Sequence, residues 1–122
     1  MILKLRMDGS TAILTPHGML LSGADADDLE QRIVELDEAG NPRLLINLSE
    51  TTYMSSTGLG VLLFARARYL KRGARVKICA VEGPIRQVFN LVRMPVVFGE
   101  DLHETEEEAL ASFQAPAAPP RD

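Results

Sequence analysis

The chain has 122 residues, with 13 Lys and Arg against 17 Asp and Glu, two His, one Cys and no Trp, which is the length of one domain. A composition 46% apolar and 25% charged supports a core without disulfide or metal staples. A net charge of −4 with acids and bases interspersed excludes a phosphate-tracking surface, so nucleic acid is not an expected partner.

Residues Ile2 to Met7 alternate apolar with charged, Asp8-Gly9 supplies turn residues, and Thr11 to Thr15 resumes a β-compatible run. This predicts an opening hairpin closed by Pro16. Lys4 and Arg6 fall where a signal peptide needs an apolar run. From Asp25 the period becomes helical: Ala26, Leu29, Ile33 and Leu36 share one stripe, and Asp25, Asp27, Asp28 and Glu30 sit near the positive N-terminal end. Gly40 and Pro42 stop that helix.

Leu44 to Leu48 is a short apolar run that predicts a central strand buried on both faces, ended by the polar segment Ser49 to Thr52. Gly58 to Lys71 reads as a second helix, with Arg66, Arg68, Lys71 and Arg72 toward its negative end and Gly73 beyond it. The longest unbroken apolar stretch, Leu59 to Ala65, is far short of the ~20 residues of a spanning helix, so no direct membrane insertion is expected. Val76 to Val81 predicts a further strand, and Cys79 on it reads as a small buried apolar residue. Cys79 alone forms no internal disulfide, and with His17 and His103 it lacks metal-ligand spacing. No metal or cofactor is therefore expected, and a reducing cytoplasm is the expected compartment.

Pro84 opens a third helix whose buried face is Ile85, Val88, Phe89 and Val92, and Met94-Pro95 ends it. Val96 to Phe98 then predicts a short edge strand. Thr105 and Glu108 form a T-x-x-E capping box that opens a last helix through Ala109, Leu110 and Phe113. The order predicts an α/β fold in residues 1–113: a mixed sheet of four to five strands with about four helices. Residues 114–122 are rich in Ala and Pro and are expected to form a disordered tail.

The segment most informative about function is Tyr53-Met54-Ser55-Ser56-Thr57-Gly58-Leu59-Gly60, three consecutive hydroxyls where a strand exits into a helix. The first N–H groups of a helix have no intrahelical partners and carry the positive end of its dipole. A hydroxyl there either caps the helix or carries a phosphate. Nucleotide cradles fail in detail: no Lys follows a glycine as in a P-loop, and Leu63 stands where a dinucleotide fingerprint needs its third glycine. A hydrolase elbow G-x-S-x-G is missing, and His17 and His103 read as surface or turn residues, so no enzyme activity is expected.

The hairpin, the acidic helix, the apolar strand, the string Y-M-S-S-T-G-L-G-V-L-L and the later P-I-R-Q-V-F-N-L together resemble the STAS domain of bacterial anti-sigma factor antagonists. The resemblance covers about residues 2 to 113. It implies that Ser56, flanked by Ser55 and Thr57, is the phosphoacceptor, and that the unmodified protein binds an anti-sigma factor with serine kinase activity. It further implies that phosphorylation breaks this binding and that a metal-dependent serine phosphatase resets it. Leu59, Val61 and Leu62 lie in an apolar run wider than one buried face requires; with Met54 and Gly58 they are the candidate partner-binding residues. Coverage of the whole run by neighbouring elements is the other reading.

Two positions depart from the family pattern. Ser55 stands where an Asp usually precedes the acceptor, and Leu21 stands where a G-x-L-D string ends in Asp. Asp25 or Asp27 could supply a compensating carboxylate. The lost acids favour an alternative to the phospho-switch: a constitutive scaffold or subunit, of a signalling assembly or of the cytosolic side of a lipid transporter, with Ser56 as a helix cap.

Overall fold

The computed structural model describes residues 2–20 and 23–114. Its elements are β1 (Ile2–Asp8), β2 (Thr11–Leu20), α1 (Ala24–Glu38), β3 (Arg43–Asn47), β4 (Thr51–Met54), α2 (Ser56–Lys71), β5 (Arg75–Cys79), α3 (Gly83–Leu91), α4 (Met94–Phe98), a 3-10 turn (Gly99–Asp101), β6 (Leu102–His103) and α5 (Glu106–Gln114). The expected α/β class holds, with six strands and five α-helices among the described residues.

β1 and β2 form the predicted hairpin, antiparallel in register from Ile2 opposite His17 to Asp8 opposite Thr11, with Gly9 taking the left-handed φ of 60° that the tight turn requires. From β2 inward the strands are parallel in the order β2, β3, β5, β6, because each connection crosses over through a helix. β3 is central. Leu44 and Ile46 enter the larger core with α1 to α4, while Leu45 faces the other side with Ile13, Cys79 and α5 residues Ala109 and Phe113. That alternation with both faces covered explains the unbroken apolar run.

Several sequence expectations are corrected. Pro16 does not close the hairpin; β2 continues to Leu20 and pairs with β3 over its first half and with β4 over its second. Pro16 lies between these pairings, and its carbonyl accepts from the Thr51 hydroxyl at 2.9 Å. The polar segment beginning at Ser49 therefore ends β3 but opens β4, whose Thr and Tyr residues suit an extended backbone. Val96 to Phe98 is not a strand. Met94 and Phe98 are buried four residues apart with Pro95 in the first turn, which makes a helical turn, while Val96 and Val97 face solvent. The edge strand is instead Leu102–His103 beside β5. Val92, expected on the buried face of α3, lies just past its end and is half exposed. Gln114 belongs to α5; the rest of the expected tail, residues 115–122, and Leu21 lie outside the described residues.

The β6 edge is fastened by charge. Lys77 and Asp101 are both buried and their Nζ and Oδ1 atoms are 3.0 Å apart. Arg75 donates to the same oxygen at 2.5 Å, and the Lys77 ammonium lies 5.2 Å from the centroid of the Phe113 ring. On the opposite flank, Asp37 at the end of α1 accepts from Arg68 at 2.7 Å and Arg72 at 2.5 Å at the end of α2. Burial opposes the ionised form of Asp37, but these two guanidinium groups outweigh it and hold the carboxyl below its ordinary range.

Candidate functional site at the start of helix α2

β4 carries the chain out of the sheet and turns it directly into α2. Two bonds fix the turn. The Ser55 N–H donates to the Leu20 carbonyl at 2.9 Å, and the Ser55 carbonyl accepts the first intrahelical bond from Leu59 at 3.0 Å. Ser55 itself has extended backbone (φ −87°, ψ 175°), and its hydroxyl accepts from the Gly58 N–H at 3.4 Å. It is the N-cap. The capping role that the sequence left open for Ser56 therefore belongs to Ser55, and Ser56 is the first helical residue with its side chain exposed. Thr57 is exposed beside it. Three adjacent hydroxyls made the cap ambiguous in the sequence; the backbone dihedrals decide it.

Gly58 is required by packing. A Cβ added there would lie 2.7 Å from Met54 Cγ, 3.0 Å from Leu20 Cγ and 3.0 Å from the Leu20 carbonyl. The close approach seats α2 against the exits of β2 and β4. It also buries the residues expected to face a partner: Met54, Gly58, Leu59, Val61 and Leu62 all lie inside, and Leu59, Val61 and Leu62 pack into the main core. Their side chains therefore form no exposed surface, because α1, β4 and β5 pack against this inner side of α2, whereas Leu63 of the same apolar run is exposed.

The electrostatics at this helix start favour an anion. α2 has no acidic residue in its first turn and carries Arg68 and Lys71 in its last, so the positive end of its dipole is not offset by an α2 carboxylate. The histidines belong elsewhere. His17 Nδ1 is 3.1 Å from Glu50, which Lys4 also approaches at 3.0 Å, and His103 Nε2 is 3.4 Å from Lys77 Nζ. Burial, then the Lys77 charge, lowers the His103 pKa. Burial and the nearby Glu106 push the Cys79 thiol up to about 12, as expected of an inert core residue. Among the described residues no group of His, Cys, Asp and Glu is arranged to hold a metal ion, and no helix is long and apolar enough to cross a membrane. Of the basic residues toward the end of α2, Arg68 and Arg72 hold Asp37 and Arg66 lies 3.7 Å from Asp101, so they brace the fold, while Lys71 is exposed.

Comparison with known proteins places this geometry. The family model described as STAS domain matches residues 3–109. The candidate anti-sigma factor antagonist BtrV of Bordetella bronchiseptica strain RB50 is 26% identical over 114 residues, covering 92% of this chain and 96% of its own. Among solved structures, the unphosphorylated anti-sigma factor antagonist SpoIIAA superposes with a TM-score of 0.74 at 20% identity, covering 94% of this chain and all of that one. An anti-sigma factor antagonist from Mycobacterium paratuberculosis gives 0.80 at 22% identity, covering 93% and 94%. At these identities the structural likeness shows the fold.

Proposed function

The chain belongs to the STAS domain family, and from that premise we propose that it is an anti-sigma factor antagonist switched by phosphorylation of Ser56. The observation that carries the reading is the placement of Ser56: exposed, first in α2, beside a separate cap, at a helix start without an acid in its first turn. The unmodified protein binds an anti-sigma factor with serine kinase activity. That kinase transfers the γ-phosphoryl group of ATP to the Ser56 hydroxyl, and a metal-dependent serine phosphatase removes it. The protein is ligand and substrate in this cycle.

Physical chemistry supports the scheme. Phosphate adds about −1.5 to −2 charges where helix N–H groups and the dipole favour them, so the fold tolerates the modification. A charge misplaced in an interface weakens binding by about 2–5 kcal/mol, about 30-fold to several thousand-fold. Ser55 in place of the usual acid does not disturb the cap, because Ser and Asp cap helices equally well.

The test is incubation of the intact protein with the cognate kinase and ATP, read by intact mass. One added phosphoryl group, absent in Ser56→Ala, is the expected result; addition that persists in Ser56→Ala rejects the site. Ser56→Asp separates the switch from the constitutive scaffold: the switch loses most partner affinity, whereas the scaffold keeps it.

A further inference from the structure

Helix α2 has one face that the fold does not cover. Ser56, Gly60, Leu63, Ala67 and Leu70 are all exposed, with Leu63 at 39% and Leu70 at 45%. Their spacing of four, three, four and three residues averages that of a heptad seam, and it runs straight along the helix for about 21 Å at 1.5 Å per residue. An outward helix face normally carries charge, yet from Thr51 to Ala65 no Asp, Glu, Lys, Arg or His occurs at all.

Gly60 adds an independent observation. Its backbone is not left-handed, and a Cβ placed on it meets no atom within 4 Å, so nothing inside the protein requires a glycine. In a helix interior glycine is less stable than alanine. What glycine provides at this position is room for a second backbone to come close from outside. Ala67, about two turns further on, keeps the same channel open, and Leu63 and Leu70 stand as knobs beside the small residues.

Charge selects the occupant. The C-terminal half of the seam is flanked on one side by exposed Lys71 and on the other by half-buried Arg66, which shares Asp101 with Arg75 and Lys77, so that three cations face one carboxylate, while the N-terminal half is flanked by uncharged Thr57. A second copy of α2 would match this badly. Packed parallel it sets Arg66 of one copy against Lys71 of the other, five residues on; packed antiparallel it sets both cations against the uncharged half.

We propose that the Ser56–Gly60–Leu63–Ala67–Leu70 seam docks an amphipathic helix of a partner protein whose apolar stripe is flanked by acidic residues where it meets Arg66 and Lys71. Ser56 is the first residue of this seam, so phosphate there would put charge into the contact itself; that consequence rests on the phospho-switch reading, whereas the seam does not.

The probe is a synthetic three-heptad helix with Leu at its a and d positions and Glu at e and g, fluorescein-labelled and titrated with the intact protein by anisotropy. A Lys-flanked twin is the control. Saturable binding of the Glu peptide, stronger than that of its twin, is expected. Leu63→Glu and Gly60→Leu should each weaken it about tenfold or more, as truncation or blocking of a central contact does. A Cβ at position 60 meets no atom within 4 Å, so Gly60→Leu should melt no lower than the wild type, and a melt that confirms this shows that its loss of binding does not come from unfolding. Lys71→Glu should reverse the preference between the two peptides. The proposal is overturned by absent or unsaturable binding, by equal binding of the twin, by an unaffected Gly60→Leu, or by sedimentation showing that the wild type already self-associates through this face. Ser56→Asp separates the two readings: peptide binding that survives it leaves the seam standing and counts against the switch, while kinase-dependent modification of Ser56 without peptide binding does the reverse.

Discussion

The same substitution two residues apart on α2 should change stability in opposite directions. Gly58→Ala inserts a methyl group 2.7 Å from Met54 Cγ and 3.0 Å from the Leu20 carbonyl. The Met54 side chain is fully buried, and the Leu20 oxygen is tied to Ser55 N–H at 2.9 Å, so neither moves freely. Overpacking of this kind costs about 1–3 kcal/mol, against which alanine returns about 0.5–1 kcal/mol of helix propensity. The net expectation is a loss centred near about 1 kcal/mol and reaching about 2.5 kcal/mol. Gly60→Ala meets nothing and should gain about 0.5–1 kcal/mol. Both variants gain the same propensity, so they differ by the overpacking of about 1–3 kcal/mol; at about 3–6 °C per kcal/mol for a domain of this size, they should melt at least about 3 °C apart. Thermal melts followed by circular dichroism, with urea titrations to confirm an unchanged m value, measure both. If Gly58→Ala is as stable as Gly60→Ala, the close seating of α2 against β2 and β4 is wrong, and with it the account of how Ser56 is positioned.

Three further outcomes follow from the charge networks and the core. Asp37→Asn should lower stability at neutral pH by about 1–3 kcal/mol, discounted because both arginines are about one-third exposed. Because Asp37 is held below its ordinary 3.8, its contribution is complete above that value and is lost as pH falls through the lower folded value. Urea titrations from pH 7 to pH 2 should therefore show wild type and Asp37→Asn converging only at the acid end. Asp101→Asn leaves the Lys77 ammonium buried without its carboxylate and should lose about 3–5 kcal/mol, whereas Lys77→Met with Asp101→Asn should recover part of it in a double-mutant cycle. Native Cys79, with its thiol pushed up to about 12 by burial, should react with a disulfide reagent orders of magnitude more slowly than in denaturant; fast native labelling would contradict the cover that α5 provides.

Periodicity carried most of the fold. The hairpin, α1, β3 and α5 were legible because each has an uninterrupted period, of two, of 3.6 or of a short apolar run, and Thr105 does cap α5 through the Glu108 N–H at 3.1 Å. The misreadings share one cause: a local pattern was overridden by a tertiary contact. Thr51 and Thr52 look like a strand end but become β4 because β2 runs on past Pro16 and offers them an edge. Val96 and Val97 look like strand residues but are set aside by Met94 and Phe98, which bury on one helical face. At the start of α2 the sequence could not rank three neighbouring hydroxyls, because the choice of cap lies in one pair of dihedrals. Nor could it divide the apolar run into covered and uncovered sides. Once α2 is placed, that division follows from a 100° step per residue: Leu59, Val61 and Leu62 turn inward and Leu63 turns out.

The replacement of an acid by Ser55 bears on how sharply Ser56 could act. An Asp at the N-cap would already offset the positive end of α2, so phosphate would arrive beside an existing negative charge. Here the cap is neutral and the first turn of α2 holds no acid, so the same modification would add about −1.5 to −2 charges where α2 itself carries none. The relative change in local field is larger, and the folded state has N–H groups and a dipole with which to stabilise it. An apolar seam beginning at Ser56 has neither, because burying that charge against a partner helix removes the water that solvates it. An Asp at the cap could have taken up the hydroxyl proton; under the proposed switch, the kinase would have to supply that base. If the proposed switch operates, slow phosphoryl transfer combined with a large effect per phosphate is the behaviour expected of this arrangement of Ser55 and Ser56.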